Sequence, residues 1–386
     1  MQLWQEMERE GMEELIFCHD ADSGLRAVIA IHSTALGPAL GGCRYWTYAS
    51  EEEAVRDAVK LAKGMTYKNA ISGLPYGGGK VVIWDVPFAK NVKQDQGSHG
   101  SQSVERVASE QKVAADQVTH PQDKSLDTDV SRRAQRFRAL GRCLERLNGR
   151  YVTGLDLGTT AIDMDQIRME TAYVTDTTGS LGAQDDFTAE MTAYGVYIGI
   201  VTSLRQQGIA SLQSIPVAVQ GLGKVGYALC RYLHAAGARL IVADVVPERV
   251  QRALVQFSGA ISADPAHIHA ADCKVFAPCA LGGVLTPATV EELRCSIVAG
   301  AANNQLSERQ LVAGRMQARG ILYAPDYVLN AGGIISTAYE LEGAGPDLIR
   351  QNVAGIAGTL SKVYAEAAQS AISTADAADR LAESIL

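Results

Sequence analysis

The sequence has no Cys-x-x-Cys pair, and its seven cysteines are scattered and odd in number. Spacing therefore supplies neither a disulfide framework nor a thiolate metal site. It predicts reduced thiols in a cytoplasmic protein, each acting as a small buried hydrophobe. Positive charge is short as well: 35 Lys and Arg against 43 Asp and Glu leave a net charge of −8, which gives no support to nucleic-acid binding. No apolar run approaches the length of a membrane span, and Met1–Glu10 is polar and acidic, unlike a secretory signal. His99 and His120 lie in a polar stretch without metal-ligand spacing, so no metal is expected.

What is present is an ordinary globular mixture, 47% hydrophobic and 20% charged, over 386 residues, enough for two domains. In the first part, residues 25–31 read as a strand. Ser50-Glu51-Glu52-Glu53 forms a capping box that opens a helix running toward 64–68, with Ala54, Ala58, Leu61, Ala62 and Met65 on one face. Residues 81–84 and 151–153 read as strands and 134–147 as an amphipathic helix closed by Asn148-Gly149. Between them, about 90–129 is crowded with Gln, Ser, Asp, Lys and His. It reads as a surface insertion with one short helix near 104–115. The second part alternates strand and helix: strands at 215–220, 239–244, 274–277, 296–299 and 321–323, with a helix at 225–236. That alternation predicts a parallel, doubly wound sheet. An Ala-rich helical tail follows from Asp347.

Gly221-Leu222-Gly223-Lys224-Val225-Gly226 directly follows a predicted strand and opens a helix, the context that gives G-x-G-x-x-G its meaning. Gly221 permits the tight turn, Gly223 lets backbone approach a pyrophosphate, and Gly226 allows close helix–strand packing. The helix N-terminus offers free N–H groups to phosphate. Asp244, at the end of the next strand, can accept from ribose hydroxyls and repel a 2′-phosphate. Val245, Val246 and Pro247 bring no cation, so NAD is expected over NADP.

Two lysines stand out, Lys68 in Gly64-Met65-Thr66-Tyr67-Lys68 and Lys80 in Gly77-Gly78-Gly79-Lys80. The second is not a Walker A loop, because Leu74 replaces its first glycine and Val81 its Ser/Thr. Three glycines before a strand allow close backbone approach to a ligand. Taken singly, each lysine reads as solvated surface and Asp156, after residues 151–153, as a loop or cap aspartate.

Together these segments resemble the glutamate/leucine/phenylalanine/valine dehydrogenase family. The likeness runs through Gly37-Pro38-Ala39-Leu40-Gly41-Gly42-Cys43-Arg44, the two lysine motifs, Gly158-Thr159-Thr160 and Thr192-Ala193-Tyr194-Gly195-Val196. It continues in Ala277-Pro278-Cys279-Ala280-Leu281-Gly282-Gly283, Ala299 to Leu306, Ala324-Pro325-Asp326-Tyr327 and Asn330-Ala331-Gly332-Gly333. It covers most of the chain in collinear order and is nearest the leucine, valine, phenylalanine and tryptophan branch.

The resemblance implies a two-domain α/β fold: an N-terminal catalytic and oligomerisation domain over 1–178, a Rossmann-type NAD-binding domain over 179–340, and C-terminal helices over 341–386 packing back on the first domain. It implies that Lys68, with the Gly42 N–H, holds the substrate carboxylate. Lys80, its pKa lowered by burial and by Lys68, activates water and stabilises a carbinolamine oxygen, while Asp156 exchanges protons with the amine. Thr192 orients the nicotinamide and Asn303 fixes cofactor or substrate near the hydride path. Leu222, Lys224, Val225, Ala277, Cys279 and Ala280 join the glycines at the cofactor. Leu40, Val328, Ile334 and Thr337 form an uncharged side-chain pocket that disfavours glutamate. Ile334 tilts the expectation toward branched aliphatic substrates, and Thr337 leaves room for an aromatic one. A homo-oligomer is implied. The sequence departs from the family pattern before Thr192, where Ala189-Glu190-Met191, preceded by Asp185-Asp186, stands in place of a Ser-Pro pair. A non-catalytic NAD-binding regulator would have lost the chemical residues, and a 2-hydroxyacid dehydrogenase would want a His base that the matched motifs do not supply.

Overall fold

The computed structural model describes residues 2–85, 124–184 and 186–386. The expected helix at 104–115, His99, His120 and most of the polar stretch at 90–129 lie outside them. Two sheets organise the described chain, giving a two-domain α/β fold.

The first sheet contains β1 (Glu14–Asp20), β2 (Leu25–Ser33), β3 (Ala39–Trp46), β4 (Gly77–Trp84) and β5 (Tyr151–Leu155) in the order β1-β2-β4-β3-β5. β2 runs antiparallel to β1 and β4, whereas β3 runs parallel to β4 and β5. Apolar residues at β2 and β4 bury on both faces, one under the Glu51–Ile71 helix and the other under the Lys124–Glu145 helix. β3 escapes sequence reading because Ala39-Leu40-Gly41-Gly42 has neither alternation nor β-branching; its two strand neighbours supply the order.

The Glu51–Ile71 helix starts as expected, with the Ser50 hydroxyl accepting from the Glu53 amide at 3.2 Å. Glu53 reaches back one residue further than a capping box requires, to the Ala49 amide. Such a cap is worth about 1 kcal/mol. Ala54, Ala58 and Ala62 are buried against the sheet, while Leu61 and Met65 are half-buried. Small residues on this face let helix and sheet approach closely. This corrects the expectation for Gly77–Gly79: they lie inside β4, and a Cβ at Gly78 would overlap the Thr66 backbone nitrogen, so the close approach is of helix to strand and not of a ligand.

The helix expected to begin at Ala134 begins at Lys124. Arg133 and Arg136 help fix its course without apolar periodicity. Arg133 donates to Asp163 and to the Gly158 carbonyl, and Arg136 to Asp85.

The second sheet is wholly parallel. Its strands are β6 (Pro216–Gln220), β7 (Arg239–Ala243), β8 (Ile261–Ser262), β9 (Val275–Pro278), β10 (Ile297–Val298) and β11 (Leu322–Tyr323), ordered β11-β10-β9-β6-β7-β8. Strand order reverses between β6 and β9, which opens a crevice at their carboxyl ends. The tail forms helices Pro346–Ala354, Ile356–Ser370 and Thr374–Glu383; the last meets the Glu51–Ile71 helix through a 2.8 Å hydrogen bond from the Tyr67 hydroxyl to Glu383.

Candidate active site

Lys80, in β4, has an almost fully buried side chain, 5% exposed. Its Nζ lies 3.1 Å from Asp156 Oδ1, just beyond β5. The two groups come from strands on either side of β3 and meet beside Gly42. A Cβ on Gly42 would sit 2.8 Å from Asp156 Cβ and 3.2 Å from Lys80 Nζ, so the contact exists because position 42 has no side chain. The Tyr151 hydroxyl donates to the Gly41 and Gly42 carbonyls at 3.0 and 3.2 Å, fixing that stretch of β3.

Asp156 has a second cation. Arg44 Nε donates to Asp156 Oδ2 at 2.9 Å, and Arg44 Nη1 donates to Asp57 at 2.9 Å. Burial opposes ionisation of Asp156, but Lys80 and Arg44 outweigh it and hold the carboxyl below the usual range.

Lys68 projects from the last turn of the Glu51–Ile71 helix, where neighbouring Asn69 donates to the Leu40 and Gly77 carbonyls and pins the turn to β3 and β4. Burial lowers the Lys68 pKa to about 8; Asp326 opposes this and Lys80 adds to it. Lys80 is held in its ion pair with Asp156. Lys68, Lys80, Asp156 and Asn303 line one cavity of about 480 Å³ with Arg44, Met65 and Asp326. Asn330 Nδ2 donates to Asn303 Oδ1 at 2.7 Å. Asp326 accepts from the Gln305 and Tyr327 amides, which fixes the chain beside Asn303.

The glycine turn sits where the second sheet reverses. Gly221 has φ +94°, which disfavours any other residue. A Cβ there would also meet Ala280, and one on Gly226 would overlap the Gly221 carbonyl oxygen. At Gly223 a Cβ would meet nothing, so the helix N-terminus opens onto space. Leu222 and Ala277 are buried, and the Cys279 amide donates to the Gln220 carbonyl, aligning the ends of β6 and β9. Asp244 accepts from the Leu222 amide at 2.6 Å and the Val246 amide at 2.8 Å. Burial disfavours its ionised form, but those amides and Arg249 keep its pKa low. Arg249 corrects the expectation that no cation stands here: in the first turn of the next helix, Pro247–Gln256, it reaches Asp244 at 3.5 Å.

Comparison with known proteins decides what these sites belong to. A family profile for "Glu/Leu/Phe/Val dehydrogenase, dimerisation domain" matches residues 12–110, and one for "Glutamate/Leucine/Phenylalanine/Valine dehydrogenase" matches 248–381. The chain is 43% identical to a leucine dehydrogenase of Bacillus subtilis over 384 residues, covering 99% of this chain and 93% of the relative. The chain belongs to the glutamate/leucine/phenylalanine/valine dehydrogenase family. It is an amino-acid dehydrogenase, an oxidoreductase acting on CH–NH2 groups.

The dehydrogenase is also 38% identical to an L-tryptophan dehydrogenase of Nostoc punctiforme, over 99% of this chain and 96% of that one. A crystal structure of L-tryptophan dehydrogenase from the same organism superposes with a TM-score of 0.77 at 37% identity, covering 99% and 98%. A hetero-hexameric glutamate dehydrogenase of Thermus thermophilus, at 19% identity and TM-score 0.71 over 99% and 94%, shares the fold.

The dehydrogenase does not bring every expected residue into the charged cavity. Leu40 and Val328 are 1% exposed and share one apolar cluster, with half-buried Ile334 packed against it. Leu40 is two residues before Gly42 in β3, so both face the same side of the sheet. Thr337 is buried, and its hydroxyl donates to the Gly333 carbonyl at 3.2 Å, leaving its methyl group as the apolar part. Thr192 donates to the Thr188 carbonyl at 2.8 Å and stands over Gly333. Lys224 points outward and pairs with Asp186 at 2.6 Å, and Val225 is half-buried at the helix start. Glu190 pairs with Arg231. Asp186 and Glu190 therefore tie the Thr192 helix to the glycine-turn helix; Asp185 lies outside the described residues.

Sequence reading missed Arg44, Asp326, Arg309, Asp379 and Glu383. Arg44 and Asp326 stand within the matched motifs, where position alone gave them no role. Asp379 and Glu383 arrive from the last helix, where Asp379 accepts from Arg309 and Tyr327; no local pattern could place them.

Proposed function

We propose that the dehydrogenase catalyses the reversible, NAD-dependent oxidative deamination of an apolar L-amino acid, branched-chain substrates favoured, to its 2-keto acid and ammonium. The observation that carries this reading is the meeting of Lys68, Lys80 and Asp156 in one cavity, beside a strand face that carries Leu40. Lys68, with the Gly42 N–H, binds the substrate carboxylate, and the side chain turns toward Leu40, Val328, Ile334 and Thr337. A glutamate carboxylate would have no partner in that apolar cluster.

The residues around the glycine turn fit a dinucleotide. Gly221 to Gly226 and the helix N-terminus would hold the pyrophosphate, and Asp244 the ribose. Ala277, Cys279 and Ala280 would flank it, and Thr192 and Asn303 would set the nicotinamide end. When bound, NAD supplies the hydride acceptor for the substrate α-carbon. Asp156, ionised in the free protein, accepts a proton from the substrate ammonium. Lys80, once its ammonium proton has passed to solvent, takes a proton from the water that attacks the imino acid, and its ammonium then faces the carbinolamine oxygen. Asp156 returns a proton to the nitrogen, the C–N bond breaks with its electron pair leaving on nitrogen, and the hydroxyl proton passes to the departing ammonia as the carbonyl forms, releasing ammonium.

Domain limits at 1–178, 179–340 and 341–386 accord with this division of labour. A homo-oligomer formed through the first domain is supported by the matched dimerisation profile. A cytoplasmic location accords with seven free thiols. Among the described residues no helix is long and apolar enough to cross a membrane. An aromatic substrate is the second reading, favoured by the likeness to tryptophan dehydrogenase and by the inward-bonded Thr337 hydroxyl.

The test is NAD reduction at alkaline pH with each of the twenty L-amino acids. Leucine, isoleucine or valine should lead, and glutamate should be near background. A lead by phenylalanine or tryptophan selects the second reading. Reduction with lactate or malate but no amino acid overturns both.

A further inference from the structure

The outer edge of β5 is finished by a side chain. The Thr153 amide donates to the Tyr173 carbonyl at 3.2 Å, and the Thr175 amide donates back to the Thr153 carbonyl at 2.8 Å, a short parallel pairing. Such a ladder would next offer the Leu155 amide a backbone carbonyl. The chain instead turns away at Asp176, whose φ of +56° is a left-handed conformation that aspartate tolerates. The Asp176 carboxyl takes the place of that carbonyl, and the Leu155 amide donates to its Oδ2 at 2.9 Å. A Cβ on Gly154 would lie 2.3 Å from the same oxygen, so the carboxyl reaches β5 because position 154 is bare. Leu155 immediately precedes Asp156, whose own amide donates to the Thr159 hydroxyl at 3.0 Å. The backbone leading into Asp156 is therefore fixed by Asp176 on one side and Thr159 on the other.

Asp176 is 5% exposed, and its Oδ1 has no hydrogen-bond partner among the described residues. That atom faces the short turn Leu181–Ala183, where a Cβ on Gly182 would lie 2.2 Å from it. Gly182 is held from the side of the second sheet. Glu340, in the Gly332–Leu341 helix, accepts from the Leu181 and Gly182 amides at 2.5 and 2.9 Å. The Thr188 hydroxyl, at the start of the Phe187–Gln206 helix, donates to the Gly182 carbonyl at 3.0 Å. The Thr188 carbonyl in turn accepts from the Thr192 hydroxyl at 2.8 Å. One contact, Asp176 on Gly182, thus joins a series of bonds that ends at Asp156 to another that ends at Thr192. Burial raises the Asp176 pKa, the Leu155 amide and Thr175 hydroxyl oppose this, and Glu340 adds to it, so the contact does not call for a charge.

We propose that Asp176 is a positioning residue: through the Leu155 amide and Gly182 it holds Asp156 in register with Thr192, so that proton transfer at the substrate nitrogen and hydride transfer at the α-carbon are aligned. This rests on the roles given above to Asp156 and Thr192. Asp176 itself touches neither substrate nor cofactor.

The experiment compares Asp176→Ala, Asp176→Asn and Thr188→Val with the unmodified enzyme. It uses the leading amino acid of the screen above, and reads kinetics across pH together with hydrogen exchange of the Leu155 amide. Asp176→Ala strips that amide of its acceptor. Its exchange should quicken about tenfold, and kcat should fall roughly tenfold or more with KM for NAD little changed. The acid limb of the kcat profile should move to higher pH as Asp156 drifts from Lys80 and Arg44. Asp176→Asn keeps an uncharged acceptor oxygen and should restore slow exchange and most of kcat. Thr188→Val should change exchange and kcat in the same direction as Asp176→Ala. The double variant Asp176→Ala/Thr188→Val should lose no more than Asp176→Ala alone, because the two act in series.

Unchanged Leu155 exchange in Asp176→Ala overturns the proposal, as does faster exchange with kcat and the acid limb unmoved, or additive losses in the double variant. Should Asp176→Ala fail to fold, unchanged exchange and kcat in Thr188→Val overturn it. Asp156→Asn separates the two levels of the argument. Full turnover there overturns the role of Asp156 and the positioning role with it, whereas a disabled Asp156→Asn beside an unaffected Asp176→Ala overturns the positioning role alone.

Discussion

Lys80 in β4 and Asp156 just beyond β5, on opposite sides of β3, are 3.1 Å apart beside the side-chain-free Gly42. Lys80→Ala removes the proposed base and leaves the glycine turn untouched. Turnover should fall by at least about 10³-fold, while calorimetry should find NAD affinity nearly unchanged. Full kcat in a folded variant would remove Lys80 from the mechanism.

Gly42→Ala should be costly although it adds one methyl group. The new carbon would lie 2.6 Å from the Leu155 carbonyl oxygen, a backbone atom that cannot swing aside. Overpacking of this kind destabilises by about 1–3 kcal/mol, and the Lys80–Asp156 pair must part. Thermal unfolding should register the first effect and a tenfold or greater loss of kcat/KM the second.

Arg44→Met leaves Asp156 with Lys80 alone. Arg44 helps hold the Asp156 pKa down, so its loss must move that pKa up. The acid limb of the kcat profile should shift to higher pH. An unmoved limb would show that Asp156 does not limit the reaction there.

Lys68 gives the pH dependence of carboxylate binding. Its pKa in the free protein is about 8, and only its ammonium form attracts a carboxylate. Affinity for 4-methylpentanoate, which has no amine to titrate, should be full below pH 8. Above it, affinity should fall by up to about tenfold per pH unit. Lys68→Ala should weaken binding and flatten the profile; inhibition constants from pH 6.5 to 10 test both.

Asp244 and Arg249 should set cofactor choice in opposite senses. The unmodified enzyme should prefer NAD because the carboxylate repels a 2′-phosphate. Asp244→Ser should raise relative efficiency with NADP at least tenfold, and adding Arg249→Ala should cancel much of that gain. Equal kcat/KM for both cofactors before mutation would contradict the assignment.

Five of the six strands of the second sheet were legible in the sequence because they are apolar runs broken by turns, and the glycine motif marked the reversal point; β8, only Ile261–Ser262, offered no such run. The first sheet was half legible. β3 hid behind its glycines, and β1, with Glu14, His19 and Asp20 among its seven residues, lacked an apolar signature. Lys68, Lys80 and Asp156 were found through motifs, whereas their partners depend on packing. Nothing near residue 156 announces Arg44, and nothing near Lys68 announces Asp326. Arg249 lies beyond Val245-Val246-Pro247, and only the helix that starts at Pro247 carries it back to Asp244.

The ties within the two halves of the enzyme differ in what surrounds them. Asp186–Lys224 and Glu190–Arg231 join the Thr192 helix to the glycine-turn helix at the surface, with Lys224 72% exposed; Lys80–Asp156 is enclosed, with the lysine side chain 5% exposed. Dissolved ions screen the surface ties strongly and the enclosed one little. Concentrated brine should therefore loosen the cofactor half while the reacting groups stay in register, so ionic strength separates cofactor affinity from chemistry.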